Sequence, residues 1–191
     1  MEADVYLLHT AWAARKVAKI RPACHTDFSS SLDFNALVSA FVPIRFYDYR
    51  PADAGLSGLE TGFADLTALP FADGALPSVS CMHVVEHVGL GRYGDAMDAD
   101  GDLKAMAELA RVTAPGGNLL FVVPVGAPRV QFNAHRIYAY GQVLDAFPGF
   151  TLREFALIPD GPDDTRLVVG APAEMVDRQR YGCGCFWFEK G

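Results

Sequence analysis

The sequence predicts a doubly wound α/β sheet, mostly parallel, and three observations predict it. Short stretches rich in β-branched and aromatic residues alternate with helical patterns. The run NLLFVVPV at 118–125 is continuously apolar, as expected of a strand buried on both faces of a parallel sheet. Acidic and small polar residues recur just after the strand candidates, where such sheets bind their ligands.

The elements follow in order. Residues 5–19 carry Val5, Leu8, Trp12, Ala13 and Val17 as a helical stripe, with basic residues towards the end and Pro22 as a stop. Residues 23–28 read as a first strand, followed by Ser29, Ser30 and Ser31. A short helix at 33–41, a strand at 43–49 and another at 59–64 come next. Residues 78–85 form a nearly continuous apolar strand candidate. The clearest helix is 100–113, with Asp100 as its cap and Pro115-Gly-Gly117 as its terminator. After the apolar run, 135–147 reads as a helix, and 151–158 and 185–189 as the last two strands. Residues 159–182 are longer than an ordinary connection and read as a long loop or a lid, with 166–170 a strand candidate within them.

A chain of 191 residues suits one domain spanning 1–191, with 1–22 as its N-terminal helix. Hydrophobic residues make up 51%, enough to build a core, so a disordered chain is excluded. The net charge of −7 argues against a nucleic-acid partner, which needs a basic face. No apolar run suggests a membrane span, and no basic leader precedes an apolar one, so the chain reads as soluble and cytoplasmic. The four cysteines are scattered and read as reduced; Cys183-Gly-Cys185 is tighter than a CxxC pair.

Chemistry is predicted at the strand ends. Asp27 ends the first strand, and Asp48 ends the second 21 positions later. In nucleotide-binding α/β folds an acidic side chain at about that spacing accepts hydrogen bonds from ribose hydroxyls. Asp65-Leu66 lies where an adenine amino group needs an acceptor. Singly, each of these aspartates is better explained as a turn or cap residue. Their order along the chain favours binding.

The stretch from Phe63 through Asp65, Phe71 and Gly74, then His83-Val-Val-Glu86-His87, then Glu108-Leu-Ala-Arg111 with Pro115-Gly-Gly117, resembles a class I S-adenosylmethionine-dependent methyltransferase over about residues 23–158. HVVEHVGLGRYGD at 83–95, Phe132-Asn133-Ala134-His135-Arg136 and the tail Tyr181-Gly-Cys-Gly-Cys185 are similar to a branch of that superfamily known only as a domain of unknown function. The resemblance implies a Rossmann-like sheet of seven strands with the last antiparallel. It also implies cofactor contacts at Asp27, Asp48 and Asp65, with His83 beside the cofactor. The small-residue loop Ser29, Ser30 and Ser31 and Leu66 complete the expected S-adenosylmethionine site. One departure counts against that cofactor: the first loop has no glycine, so a positive φ there is costly.

As bare text, His83-Val-Val-Glu86-His87 also matches the inverted zinc-hydrolase motif. That chemistry needs a helix, but the context reads as strand, and two histidines fall short of three protein ligands. His135, Cys183 or Cys185 would have to supply the third, and no metal is predicted. Gly89-Leu-Gly91-Arg-Tyr-Gly94 matches GxGxxG but does not open into a helix, and Asp95, Asp98, Asp100 and Asp102 follow it. The loop is read as part of a substrate pocket instead, with Arg92 and Tyr93 as contacts. Asn133 and Arg136 are further substrate contacts, although Asn133 reads equally well as a helix cap.

The function expected is methyl transfer to a small molecule, such as a sugar-linked metabolite, with Glu86, His87 and His135 as candidate bases. The alternative is a methyltransferase-like fold without S-adenosylmethionine that acts as another transferase or hydrolase, or as a non-catalytic partner protein.

Overall fold

The computed structural model describes residues 5–52, 54–161 and 166–191. Helix α1 (Val5–Ile20) buries His9, Trp12, Ala13 and Val17 on one face. It ends where Arg21 turns left-handed, just before Pro22. Strand β1 (His25–Phe28) is buried at every position and leads to α2 (Leu32–Val38). The Ser31 hydroxyl caps α2 by accepting the Phe34 N–H. Strands β2 (Ile44–Asp48), β3 (Leu59–Phe63) and β4 (Leu76–Met82) follow. Beyond β4 the chain makes a single 3₁₀ turn, Val85–His87.

Helix α3 (Gly101–Val112) runs directly into β5 (Thr113–Val125), the longest strand. Arg111 ties α3 to the 69–73 loop: it pairs with Glu108 and Asp73 and donates to the Leu69 and Phe71 carbonyls. A hairpin of β6 (Arg129–Gln131) and β7 (His135–Ile137) precedes α4 (Tyr140–Asp145). The chain closes with β8 (Phe150–Ile158), β9 (Val168–Val169), α5 (Ala173–Asp177) and β10 (Gly182–Lys190).

The sheet order is β3-β2-β1-β4-β5-β10-β8-β9. The first five of these strands are mutually parallel, and β10 inserts antiparallel between β5 and β8. Alternation on β5 explains the double winding. Leu119, Phe121, Val123 and Val125 pack with Ala105, Met106 and Leu109 of α3, whereas Leu120 and Val122 pack with Trp12, Val17, Phe34 and Val38 of α1 and α2. Order reverses between β1 and β4, so the carboxyl ends of β1, β2, β3 and β4 form the crevice. No helix of the described residues is long and apolar enough to cross a membrane.

The mostly parallel Rossmann-like sheet is as expected, with four differences. The main sheet has eight strands rather than seven, because β9 pairs antiparallel with β8. The expected helix at 135–147 is split: its first residues pair as β7, and only Tyr140–Asp145 is helical. With no helix starting at His135, Asn133 caps none. The stretch 159–182 is partly built, holding β9 and α5; residues 162–165 within it lie outside the described residues. At α3 the Asp100 side chain makes no capping bond.

Candidate active site

A cavity of about 400 Å³ opens at the switch point, within the usual range for small-molecule sites. Ser29, Asp48, Asp65, Leu66 and His83 line it, and so do His87, Tyr93 and Arg50. Ser29 takes the left-handed conformation at φ 58°, so the turn is made without glycine, and its N–H donates to the Tyr47 carbonyl at 2.8 Å. Asp48 Oδ1 accepts the Arg50 N–H at 2.7 Å. Asp65 Oδ1 accepts from the Thr67 N–H and hydroxyl at 2.8 and 2.7 Å. Both carboxylates thus stiffen their own loops while lining the cavity.

Other residues of the first loop point elsewhere. Asp27 is fully buried and does not line the cavity. Its Oδ1 accepts from the Ser30 N–H and Asn35 Nδ2, and its Oδ2 from the Ser80 hydroxyl. Burial raises its carboxyl to about 6, against the pull of those hydrogen bonds. Ser30 Oγ accepts the Met82 N–H at 3.0 Å, and Ser31 is the cap of α2. Of this expected cofactor loop only Ser29 reaches the cavity, because Asp27 and Ser30 are taken up in buried hydrogen bonds and Ser31 caps α2.

The HxxEH residues do not share a helix, and the histidines diverge. His83, at φ 56°, places Nδ1 3.0 Å from Glu86 Oε1 and Nε2 3.3 Å from the Cys183 sulfur. His87 places Nδ1 2.5 Å from the Ala134 carbonyl oxygen and Nε2 3.8 Å from Glu86 Oε1. Glu86 is therefore shared between the two rings, and its buried Oε2 has no hydrogen-bond partner among the described residues. His135 lies behind His87, with ring centroids 6.3 Å apart, and does not line the cavity. Burial pushes its imidazole down, with His87 adding to the effect. Burial also pushes the Cys183 thiol well above its usual range.

Arg50 lines the cavity and Arg92 does not; their guanidinium groups lie 5.9 and 5.5 Å from the ring of Tyr93, a lining residue. Arg136 is not a cavity residue. It is buried, pairs with Asp102 at 3.3 Å and donates to the Val88 and Ala99 carbonyls. Asn133 sits in the exposed tip of the β6–β7 hairpin, away from the cavity wall. The GxGxxG loop closes on itself: Asp95 accepts the N–H groups of Gly89, Gly91 and Tyr93. A Cβ on Gly89 would lie 2.1 Å from the Asp98 carbonyl oxygen, so that glycine is needed for close packing. Asp98 pairs with Lys104 and Asp102 with Arg136, so two of the four aspartates of the acidic run are charge-paired.

Sequence reasoning missed Arg50, two residues past the Asp48 strand end, and it missed His9. Nothing in the helical stripe of α1 distinguishes His9 from a core residue; only the fold brings it beside His83, with ring centroids 4.9 Å apart.

The family model described as "Caenorhabditis protein of unknown function, DUF268" matches residues 73–155. No curated protein matches the chain. Among solved structures, the N-methyltransferase NodS from Bradyrhizobium japonicum, in complex with S-adenosyl-L-homocysteine, is 12% identical with a TM-score of 0.66, covering 98% of this chain and 88% of that one. The 1,6-didemethyltoxoflavin-N1-methyltransferase of Burkholderia thailandensis, solved with its substrate and S-adenosylhomocysteine, is 10% identical with a TM-score of 0.65, covering 95% and 78%. A chain of the "Complex between the Haloferax volcanii Trm112 methyltransferase activator and the putative methyltransferase" is 19% identical with a TM-score of 0.63, covering 95% and 88%. The chain has the fold of the class I S-adenosylmethionine-dependent methyltransferases.

Proposed function

We propose that the protein transfers a methyl group from S-adenosylmethionine to a small polar acceptor. The observation that carries this reading is one cavity at the switch point lined by Ser29, Asp48, Asp65, Leu66, His83 and His87. Its residues fit the cofactor: Ser29 keeps the tight left-handed turn, and two half-buried carboxylates come from adjacent loops. Asp48 is the acceptor for ribose hydroxyls, and Asp65 with Leu66 holds the adenine side. When bound, S-adenosylmethionine supplies an electrophilic methyl on a sulfonium.

His87 is the base in this reading. Its Nδ1–H donates to the Ala134 carbonyl, which leaves the lone pair on Nε2 to take a proton from the acceptor. Glu86, 3.8 Å from that nitrogen, steadies the imidazolium that results. Arg50 and Arg92 around Tyr93 give the mouth donors for an oxygen-rich acceptor, for which a sugar-linked metabolite is one class.

Calorimetric titration with S-adenosylhomocysteine tests the reading. Micromolar binding is expected, at least tenfold weaker in Asp48→Ala. A folded protein that does not bind overturns it and returns the question to another transferase or hydrolase, or to a non-catalytic role.

A further inference from the structure

We propose that His9, His83 and Cys183 form a zinc site at the edge of the cavity, a site on which the methyl-transfer reading does not depend. The three come from α1, the end of β4 and β10. One ligand atom of each lies within 4.8 Å of the other two. His83 Nε2 and the Cys183 sulfur are 3.3 Å apart. Tetrahedral zinc, with Zn–N and Zn–S of about 2.0 and 2.3 Å, sets that N···S edge at about 3.5 Å. One edge of the triad thus already has the length that zinc requires, and the edges to His9 lie within 4.8 Å.

The surroundings have the features of a ligating shell. His83 Nδ1 meets Glu86 Oε1 at 3.0 Å, and His9 Nδ1 meets the Val5 carbonyl oxygen at 2.9 Å. An acceptor on Nδ1 fixes its proton there and puts the lone pair on Nε2, the arrangement that orients ligating histidines. His9 and Cys183 are 1% and 3% exposed, so water competes poorly at the site. Tyr6 packs on both imidazoles, with centroids 5.2 and 5.6 Å away. Two nitrogens and a sulfur select a borderline-soft ion over magnesium or calcium. Three protein ligands leave a fourth position for water or an anionic oxygen or sulfur group. Because His83 also lines the cavity, the ion borders it.

The HxxEH text misassigned the partners. His87 faces Ala134 and His135, and His83 finds its companions 74 positions upstream and 100 downstream.

The test uses full-length protein stripped with a chelator, then titrated calorimetrically with Zn²⁺ and, in parallel, with Co²⁺ as an optical probe. One Zn²⁺ per chain is expected, together with a near-ultraviolet thiolate-to-cobalt charge-transfer band and a rise in melting temperature. Cys183→Ser should abolish the band, and His9→Gln should weaken Zn²⁺ binding at least tenfold. Cys185→Ser should keep both. Failure of the folded wild type to take up Zn²⁺, or a band that survives Cys183→Ser, overturns the site and leaves a thiol–imidazole hydrogen bond. If Cys183→Ser does not fold, His9→Gln decides: Zn²⁺ binding equal to wild type overturns the proposal. S-adenosylhomocysteine binding, measured separately on chelated protein, keeps this outcome distinct from that of the cofactor reading.

Discussion

His25 and Asp27 lie two residues apart on β1 and share the Ser80 hydroxyl, His25 through Nε2 at 2.9 Å and Asp27 through Oδ2. Both are fully buried, and burial moves them in opposite directions: His25 down to about 3 and Asp27 up to about 6. The signs follow from linkage. The unfolded chain protonates His25 near 6.5 and the native one only near 3, so this stability is present above 6.5 and lost as pH falls through that window. Over the whole window the loss is about 5 kcal/mol. Asp27 acts oppositely: its raised value favours the native state at low pH, and about 3 kcal/mol of that is lost as pH rises from 3.8 through about 6. Urea unfolding at pH 7 and pH 4 should show His25→Asn losing less stability on acidification than wild type, and Asp27→Asn losing more. Equal losses in all three proteins would refute the network. At the same scale, the proposed methyl transfer puts His87 on the acceptor side, so His87→Ala should lower kcat by a factor of about 10²–10⁴ while S-adenosylhomocysteine binding stays within a few-fold.

At the scale of elements, the β6–β7 hairpin is held by Arg136, and it presents the Ala134 carbonyl to His87. Arg136 joins β7 to Asp102 of α3 and to the carbonyls of Val88 and Ala99 in the loop between the 3₁₀ turn and α3. Arg136→Leu strands Asp102 in a buried setting and should cost about 3–5 kcal/mol in urea unfolding. Arg136→Lys should recover only part, because an ammonium cannot span the same fork of acceptors. This clamp also explains where element prediction stopped. The helix expected at 135–147 is cut short because Arg136 and the pairing with β6 hold its first residues as strand. Helices α1 and α3 and strand β5 were legible, because periodicity or an unbroken apolar run specifies them locally. The ends of β2 and β3 were legible as cavity positions, since Asp48 and Asp65 do line it. Asp27 reads identically in the sequence, but the register pairs it with Phe46, two residues deeper in the sheet than Asp48. The pairing of His83 with Cys183 is a long-range consequence of β10 inserting beside β5, which no local spacing encodes.

At the scale of the molecule, the sheet couples the two cores through β5 and β10. Along β10, Cys183 and Cys185 enter the core under α1 and α2, while Phe186 and Phe188 enter the core under α3 and α4. A Cβ on Gly184 would lie 2.6 Å from Val125 Cγ1, so the strand seats against β5 without slack on that face. Neither core can loosen without disturbing strands that the other uses, and one cooperative transition is therefore expected. The chain's two tryptophans make this measurable. Trp12 on α1 donates its indole N–H to Glu154, and Trp187 on β10 donates to Asn118; both lie on the α1 face of the sheet. Tryptophan fluorescence thus reports one face, whereas far-ultraviolet circular dichroism reports every element. The two urea curves should superimpose, with one midpoint and one slope. A fluorescence midpoint at lower urea would mean that α1 peels from the sheet before the rest unfolds. It would also place His9, which α1 carries, on the least stable element of the proposed zinc site, and added Zn²⁺ should then raise the fluorescence midpoint more than the dichroism midpoint.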